Sequence, residues 1–283
     1  MIVRQKVATF KTKQHRSVRS DITDHYRKDG WLIVEQIYGS TTKTFGGDLA
    51  VFNQKLRLGE NFSLVRFGDG EMRVINVDNI DLSQKCNGEH RYTPDNENDE
   101  RHRQILANSL TYDNAQYFVG LPCRCCVGDE KCDLLRQQSE QKDDRLTWAN
   151  LFVNANYLIF LRDTIPIIGS RTINIVCHQK AQVEQLPFET HKVFRIGANA
   201  WVDDYENTLK DMQTYLEDNQ IRNEVFVFCA GVLSNMLIYQ LTRMDFNNTY
   251  IDLGSVFDVT MGLGETRQYL KGKKKRLKKV CIW

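Results

Sequence analysis

The C-terminal half of the chain alternates short apolar runs with stretches of helical spacing. Residues 172–177, 192–196, 224–229 and 249–253 are apolar runs of strand length. Between them, 203–218 places Tyr205, Leu209, Met212, Tyr215 and Leu216 on one helical face, and 232–243 reads as a second helix. A short polar helix is expected between the first two strands. Apolar strands joined by helices predict a mainly parallel sheet covered on both faces.

The N-terminal half is less regular. Residues 47–58 carry Leu49, Phe52 and Leu56 at helical spacing, 62–66 reads as a short buried strand, and 72–77 as the start of a helix. Residues 78–115 are very polar and are expected to end in a helix around 102–110. A strand at 117–120 follows, then a cysteine-rich loop. Residues 143–154, with Leu146, Ala149, Leu151 and Phe152, read as helical. Residues 1–30 are polar and basic, and are expected to form a helical or loose arm. The fold class is therefore α/β: a Rossmann-like, mainly parallel sheet with helices on both faces, plus a polar helical and loop insertion at about 78–150. The expected organisation is an arm over 1–45, one domain over 46–270 and a basic tail over 271–283.

Composition narrows the class further. The 283 residues are 41% hydrophobic and 26% charged, which excludes collagen-like, low-complexity and wholly disordered chains. No apolar run approaches the roughly 18 residues of a membrane helix. Met1-Ile2-Val3-Arg4-Gln5-Lys6 lacks the apolar core of a signal peptide, so a cytoplasmic location is expected. The net charge of +2 is uneven, because seven basic residues and no acidic ones lie between Lys271 and Lys279. Such a tail either makes weak contact with a membrane surface or an acidic glycan, or is simply solvated. Its apolar end, Val280-Cys281-Ile282-Trp283, suits docking back on the body. Nothing requires nucleic acid. The eight cysteines are expected as thiols. Cys123, Cys125, Cys126 and Cys132, with Cys86 and His90, form a conceivable zinc set. They lack paired Cys-x-x-Cys spacing, so a reduced loop is the preferred reading.

In such sheets the chemistry sits where strands end. The first strand ends in Arg66-Phe67-Gly68-Asp69-Gly70-Glu71. In an extended segment Asp69 and Glu71 point the same way, and two carboxylates with open remaining positions suit Mg²⁺ or Mn²⁺ on a diphosphate. Gly68 and Gly70 permit close approach of an anion, while Arg66 either meets a phosphate or orients a carboxylate. The alternative is a Gly-Asp-Gly turn with Asp69 capping a helix. At 230–235, Gly231 opens a helix whose amides form a phosphate seat, with Ser234 and Asn235 assisting. This is neither a Walker A loop nor Gly-x-Gly-x-x-Gly, so a dinucleotide cofactor is not expected. Asn199 is placed to bond a base or ribose and Trp201 to stack on it, unless they are a helix cap and a core residue. Asp252 ends the last strand, Asp258 follows in a loop as base or metal partner, and His178 is a minor candidate.

Phe62-Ser63-Leu64-Val65-Arg66-Phe67-Gly68-Asp69-Gly70-Glu71 resembles the signature of the GT-D fold glycosyltransferases, the group first described as domain of unknown function 1792. Asn199-Ala200-Trp201 resembles that family's Asn-Ala-Phe element. Ala230-Gly231-Val232-Leu233-Ser234-Asn235, then Ile251-Asp252-Leu253-Gly254-Ser255, resemble its Gly-Pro-Thr-Ala helix start and Ile-Asp-Ile-Gly-His strand. The resemblance spans roughly residues 46–260. It implies a glycosyltransferase that binds a nucleotide sugar (UDP-, GDP- or dTDP-linked) and passes the sugar to a glycan or glycoprotein acceptor. Asp69 and Glu71 would hold Mn²⁺ or Mg²⁺ on the diphosphate. Arg66, Gly68, Gly70, Asn199, Trp201, Gly231, Ser234 and Asn235 would surround the donor, and Asp69 and Asp258 would be catalytic. The sequence departs from the family in having Gly-Val-Leu-Ser for Gly-Pro-Thr-Ala and Ser255 where His is frequent. Asp258 alone represents the acids expected after that position. Two competing readings are an S-adenosylmethionine-dependent methyltransferase and a non-catalytic binding module using the basic tail.

Overall fold

The fold is described from a computed structural model. Residues 43–78, 91–245, 247–271 and 277–283 are described in full, and 7–8, 22–26, 32–38, 41–42 and 80–81 by their strands alone. Seven strands lie side by side: β1 (Ser63–Arg66), β2 (Tyr117–Leu121), β3 (Leu146–Trp148), β4 (Ile173–His178), β5 (Lys192–Ile196), β6 (Val225–Cys229) and β7 (Thr249–Asp252). Their order is β5-β4-β6-β7-β1-β2-β3, and every pairing is parallel. Val225 and Val227 of β6 face one core layer while Phe226 and Phe228 face the other. Burial on both faces is why the central strands β4, β6 and β7 read as continuous apolar runs.

Helix α1 (Phe45–Leu58) buries Leu49, Phe52 and Leu56 against the Val227 face, together with Ile159, Phe160 and Ile168 of the irregular helical stretch 154–168. The opposite face carries α2 (Asp69–Ile75), α3 (Glu97–Thr111), α4 (Asp129–Ser139), α5 (Tyr205–Asp218) and α6 (Val232–Arg243). Local chemistry sets their ends. The Thr44 hydroxyl accepts the Gly47 amide at 2.9 Å to start α1, and Gly59, at φ 71°, takes the left-handed conformation that stops it. The Asn96 side chain accepts the amides of Asn98 and Asp99 at the start of α3.

Three expectations meet a different structure. Residues 143–154 are not a helix: Leu146–Trp148 is a three-residue edge strand pairing with β2 through Val119–Leu146 and Leu121–Trp148. A strand this short carries too few positions to display a period. Consequently the 78–150 stretch supplies β2 and β3 to the sheet as well as α3 and α4. The described part of the N-terminal segment is neither helical nor loose. Val7–Ala8, Ile22–Tyr26, Leu32–Tyr38 and Thr41–Thr44 form an antiparallel four-stranded sheet, in keeping with their β-branched content.

Of the basic tail, 272–276 lie outside the described residues, and 277–283 are packed on the body. Trp283 is buried edge-on against Trp148, with ring centroids 4.9 Å apart. Lys43 and Arg136 lie 4.6 and 4.8 Å from its ring centre. The Ala155 amide donates to the Lys279 carbonyl at 3.0 Å. Among the described residues no helix is long and apolar enough to cross a membrane. Because Trp283 fills a core position, Trp283→Ala should lower the free energy of unfolding by about 3–5 kcal/mol. Urea denaturation measures this, and an unchanged midpoint would show that the tail is only laid on the surface.

Candidate functional site

β1 and β7 are neighbours whose continuations part. After β1 the chain enters α2 on one face. After β7, the turn Gly254–Phe257 sends Val256 and Phe257 into the layer on the other face. Adjacent strands that diverge in this way leave a crevice at their carboxyl ends, where open α/β sheets bind ligands.

Arg66 and Asp252 meet across that crevice. Arg66 Nε donates to the Asp252 carbonyl at 2.8 Å and lies 3.2 Å from its carboxylate Oδ2; Nη1 donates to the Ala149 carbonyl at 2.9 Å. The guanidinium is thus committed within the protein, the second of the two roles the sequence allowed it. Asp252 also accepts the Gly254 amide at 2.9 Å. Burial raises the Asp252 carboxyl above its ordinary value, while Arg66, the Gly254 amide and the Ser234 hydroxyl pull it back.

Asp69 and Glu71 do not lie in extended chain. Helix α2 begins at Asp69, so the two acids occupy its first turn and diverge around the axis. Asp69 is exposed. Glu71 turns back so that Oε2 accepts the Gly68 amide at 2.8 Å, capping its own helix. Burial raises the Glu71 carboxyl. The Asp252 and Asp69 carboxylates push the same way, and hydrogen bonds from the Glu71 and Gly68 amides oppose it. Glu71 thus lies within electrostatic reach of two other carboxylates, of which Asp252 is the one paired with Arg66. Among the described residues no three of these acids converge as a closed ligand set. An oxygen-only donor set contributing one or two ligands fits a hard cation such as Mg²⁺ or Mn²⁺, which keeps its other positions for water and phosphate.

The second strand-end motif splits into two roles. Gly231, at φ 55° and ψ −134°, opens α6 with nothing within 4 Å of where a Cβ would stand, so its backbone faces open space. Ser234 and Asn235 are fully buried behind it. The Ser234 hydroxyl accepts the Ala230 amide at 3.2 Å, and Asn235 Nδ2 donates to the Arg66 carbonyl at 3.1 Å. In this arrangement they support the crevice rather than line it.

Asn199 and Trp201 work as a clamp. Asn199 Oδ1 accepts the Arg91 amide at 3.0 Å, and Trp201 Nε1 donates to the Arg91 carbonyl at 3.0 Å. Both main-chain groups of one residue are held by this motif. The Trp201 ring is buried against Tyr92 and His102 and offers no exposed stacking face. Asn199 Nδ2 is buried without a partner. Asp258 lies at the same end of the sheet, half-buried, its carboxylate accepting the Thr266 hydroxyl. Next to it the Ser255 and Tyr269 hydroxyls lie 3.0 Å apart, and burial pushes the Tyr269 phenol up to about 12. His178 ends β4, where Nδ1 accepts the Lys180 amide at 3.1 Å. Asp252 is the residue whose weight the sequence understated. The available signal was a lone acid set among apolar neighbours, Ile251-Asp252-Leu253.

A separate cavity of about 490 Å³, bordered by Arg57, Arg162 and Arg171, lies at the opposite, amino-terminal end of the strands. It holds none of these groups.

No protein-family model and no curated protein matches the chain. Among solved structures it is similar to two of domain of unknown function 1792. One is a selenomethionine-substituted form, and the other is described as having a distinct glycosyltransferase fold. Each is 14% identical, with a TM-score of 0.49, over 74% of this chain and 77% of the other. It is also similar to a structure described as a new glycosyltransferase of that domain type from Streptococcus sanguinis, at 16% identity and a TM-score of 0.49, over 76% and 84% of the two chains.

Two expectations follow from the geometry. Gly254 is at φ 54°, and a Cβ there would collide with Arg66 Nη2. Gly254→Ala should therefore cost about 1–3 kcal/mol in backbone strain and also displace the guanidinium. Gly231→Ala should carry the strain alone; urea denaturation of both variants, with crystallography of the Arg66 side chain, separates the two effects. The raised Glu71 carboxyl sets the second. The native state holds that proton more tightly than the unfolded chain, so ionised Glu71 costs stability above its raised value. That cost shrinks as pH falls toward the ordinary carboxylate range, below which nothing further changes. Relative to Glu71→Gln, wild type should thus gain stability as pH falls through this window, read as the difference between their urea midpoints.

Proposed function

We propose that the protein is a metal-dependent glycosyltransferase that takes a sugar from a nucleotide-diphosphate donor and transfers it to a glycan or glycoprotein hydroxyl. One observation carries this reading. The segment 62–71, which resembles the signature of the GT-D glycosyltransferases, runs along β1 into α2 at the divergence of β1 and β7, where Arg66, Asp69, Glu71 and Asp252 gather.

Asp69 and Glu71 would hold the cation. When bound, Mn²⁺ or Mg²⁺ would neutralise the charge that grows on the departing nucleoside diphosphate. Arg66 fixes Asp252 and thereby sets the field that Glu71 experiences. The main chain at Gly231 and the amides opening α6 give the diphosphate an approach free of side chains. In transfer, the bond from the anomeric carbon to the phosphate oxygen breaks, the acceptor oxygen bonds to that carbon, and the hydroxyl proton passes to a base. Asp258 takes the base role, with the Thr266 hydroxyl orienting its carboxylate. Asn199 and Trp201 act one step removed, by holding residue 91 in place.

Asp69 is exposed, so Asp69→Asn should leave the fold intact while reducing transfer by at least ~10²-fold. The direct measurement is a thermal-shift panel of UDP-, GDP- and dTDP-sugars and S-adenosylmethionine, each with and without Mn²⁺. A rise in melting temperature with one nucleotide sugar, dependent on Mn²⁺ and lost in Asp69→Asn, is expected. A metal-independent rise with S-adenosylmethionine would replace this reading with a methyltransferase.

A further inference from the structure

Cys123, Cys125, Cys126 and Cys281 bring four sulfur atoms within 4.8 Å of one another. Three come from one turn: Cys123 precedes the short helix Arg124–Val127, where its carbonyl accepts the amides of Cys126 and Val127 at 2.9 and 3.1 Å. The fourth comes from the far end of the chain. Cys132, which the sequence grouped with them, is turned away, its sulfur 3.6 Å from the Pro122 carbonyl. Cys86 and His90 lie outside the described residues.

We propose that these four cysteines form a structural zinc site that clips the C-terminal segment to the body. Zinc bound by four thiolates is tetrahedral with Zn–S of about 2.3 Å, which sets the sulfurs about 3.8 Å apart. The observed grouping is of that size. An iron–sulfur cluster would place several irons and sulfides between the thiolates, so so close a set suits a single ion. No water or substrate position is left open, as a structural rather than catalytic site requires.

The surrounding groups match the charge such a site would carry. Binding Zn²⁺ displaces the four thiol protons and leaves a net charge of −2. Lys279 Nζ lies 3.1 Å from Cys126 Sγ. Asn150 Nδ2 donates toward Cys126 and Cys281 at 3.5 and 3.8 Å, and Asn154 Nδ2 toward Cys281 at 3.5 Å. Such N–H···S contacts orient the ligands and spread their charge. The ion would close a long loop, since Cys125 and Val280, 155 residues apart, are already in contact here. Trp283 then docks beside Trp148, two residues before Asn150.

The test uses the full chain, purified with a thiol reductant and without chelator. Elemental analysis should find one zinc per chain, and exchange with Co²⁺ should give the intense visible bands of a tetrahedral tetrathiolate. Cys281→Ser should lose the zinc, whereas Cys132→Ser should keep it. If Cys281→Ser does not fold, wild type alone decides: a strong chelator should lower its melting temperature, and added Zn²⁺ should restore it. Metal-free wild type whose four thiols alkylate freely would overturn the proposal. So would a disulfide between any two of them in the reduced preparation, or zinc lost in Cys132→Ser but retained in Cys281→Ser.

Discussion

The crevice depends on one side chain standing in for a strand ladder. β1 and β7 are matched over only two positions, Ser63 with Tyr250 and Leu64 with Ile251. Beyond these positions the two strands no longer pair. A gap in the middle of a parallel sheet would leave main-chain groups unsatisfied and the halves free to shear. Arg66 fills the gap with its guanidinium, which bonds the Asp252 carbonyl and carboxylate, while Asn235 holds the Arg66 carbonyl from α6. The pair is nearly buried, so the loss of either partner would strand a charge, at a cost of about 3–5 kcal/mol. Gly254 is a consequence of the same contact, because only a residue without Cβ lets the chain turn against the guanidinium.

Asp252 and Glu71 show why that contact has chemical weight. Both are pushed toward protonation by burial, and the Asp252 and Asp69 carboxylates raise Glu71 further. Arg66 offsets part of the charge at Asp252 only. On the proposed reading, the exposed carboxylate of Asp69 beside these buried acids is where a cation would be held, and the cation would in turn attract a phosphate. Buried carboxyls raised by desolvation and by one another cost the fold stability when ionised, and such groups cluster at functional sites.

β4, β6 and β7 were legible because both their faces are buried, whereas edge strand β5 buries Phe194 and Ile196 and exposes Lys192 and Arg195; all four lie within a residue or two of where hydrophobic runs placed them. Three kinds of feature were hidden. β3 is too short to show a period, and its edge position is decided by pairing with β2. The Asp69-x-Glu71 spacing was read with a strand's period of two, but Glu71 can cap its own helix, so the helix begins earlier and the acids diverge. Asn199 and Trp201 were recognised as a unit, yet their partner is the main chain of Arg91, more than a hundred residues earlier. No local pattern reports a contact of that range. The cysteine set failed for the same reason, because its fourth member stands at position 281 and spacing rules search nearby.

The segment that follows β3 joins the two ends of this argument. The Ala149 carbonyl receives Arg66, Asn150 and Asn154 reach the cysteine cluster, and Asn156 Nδ2 donates to the carbonyls of Leu151 and Phe45 at 2.9 Å each, tying the start of α1. Eight consecutive residues thus contact the crevice arginine, the C-terminal cysteine and the first helix. Local turns and single main-chain bonds, such as the Ala149 amide to the Leu121 carbonyl and the Ala155 amide to the Lys279 carbonyl, hold this stretch together with the side-chain bonds. The asparagines supply donors to sulfur and carbonyl alike, which aspartate at the same positions could not do. Fixing this segment at its cysteine end restricts the carbonyl that positions Arg66. The chain's last residues thereby bear on the pair that holds the crevice open, although neither they nor the cysteines belong to it.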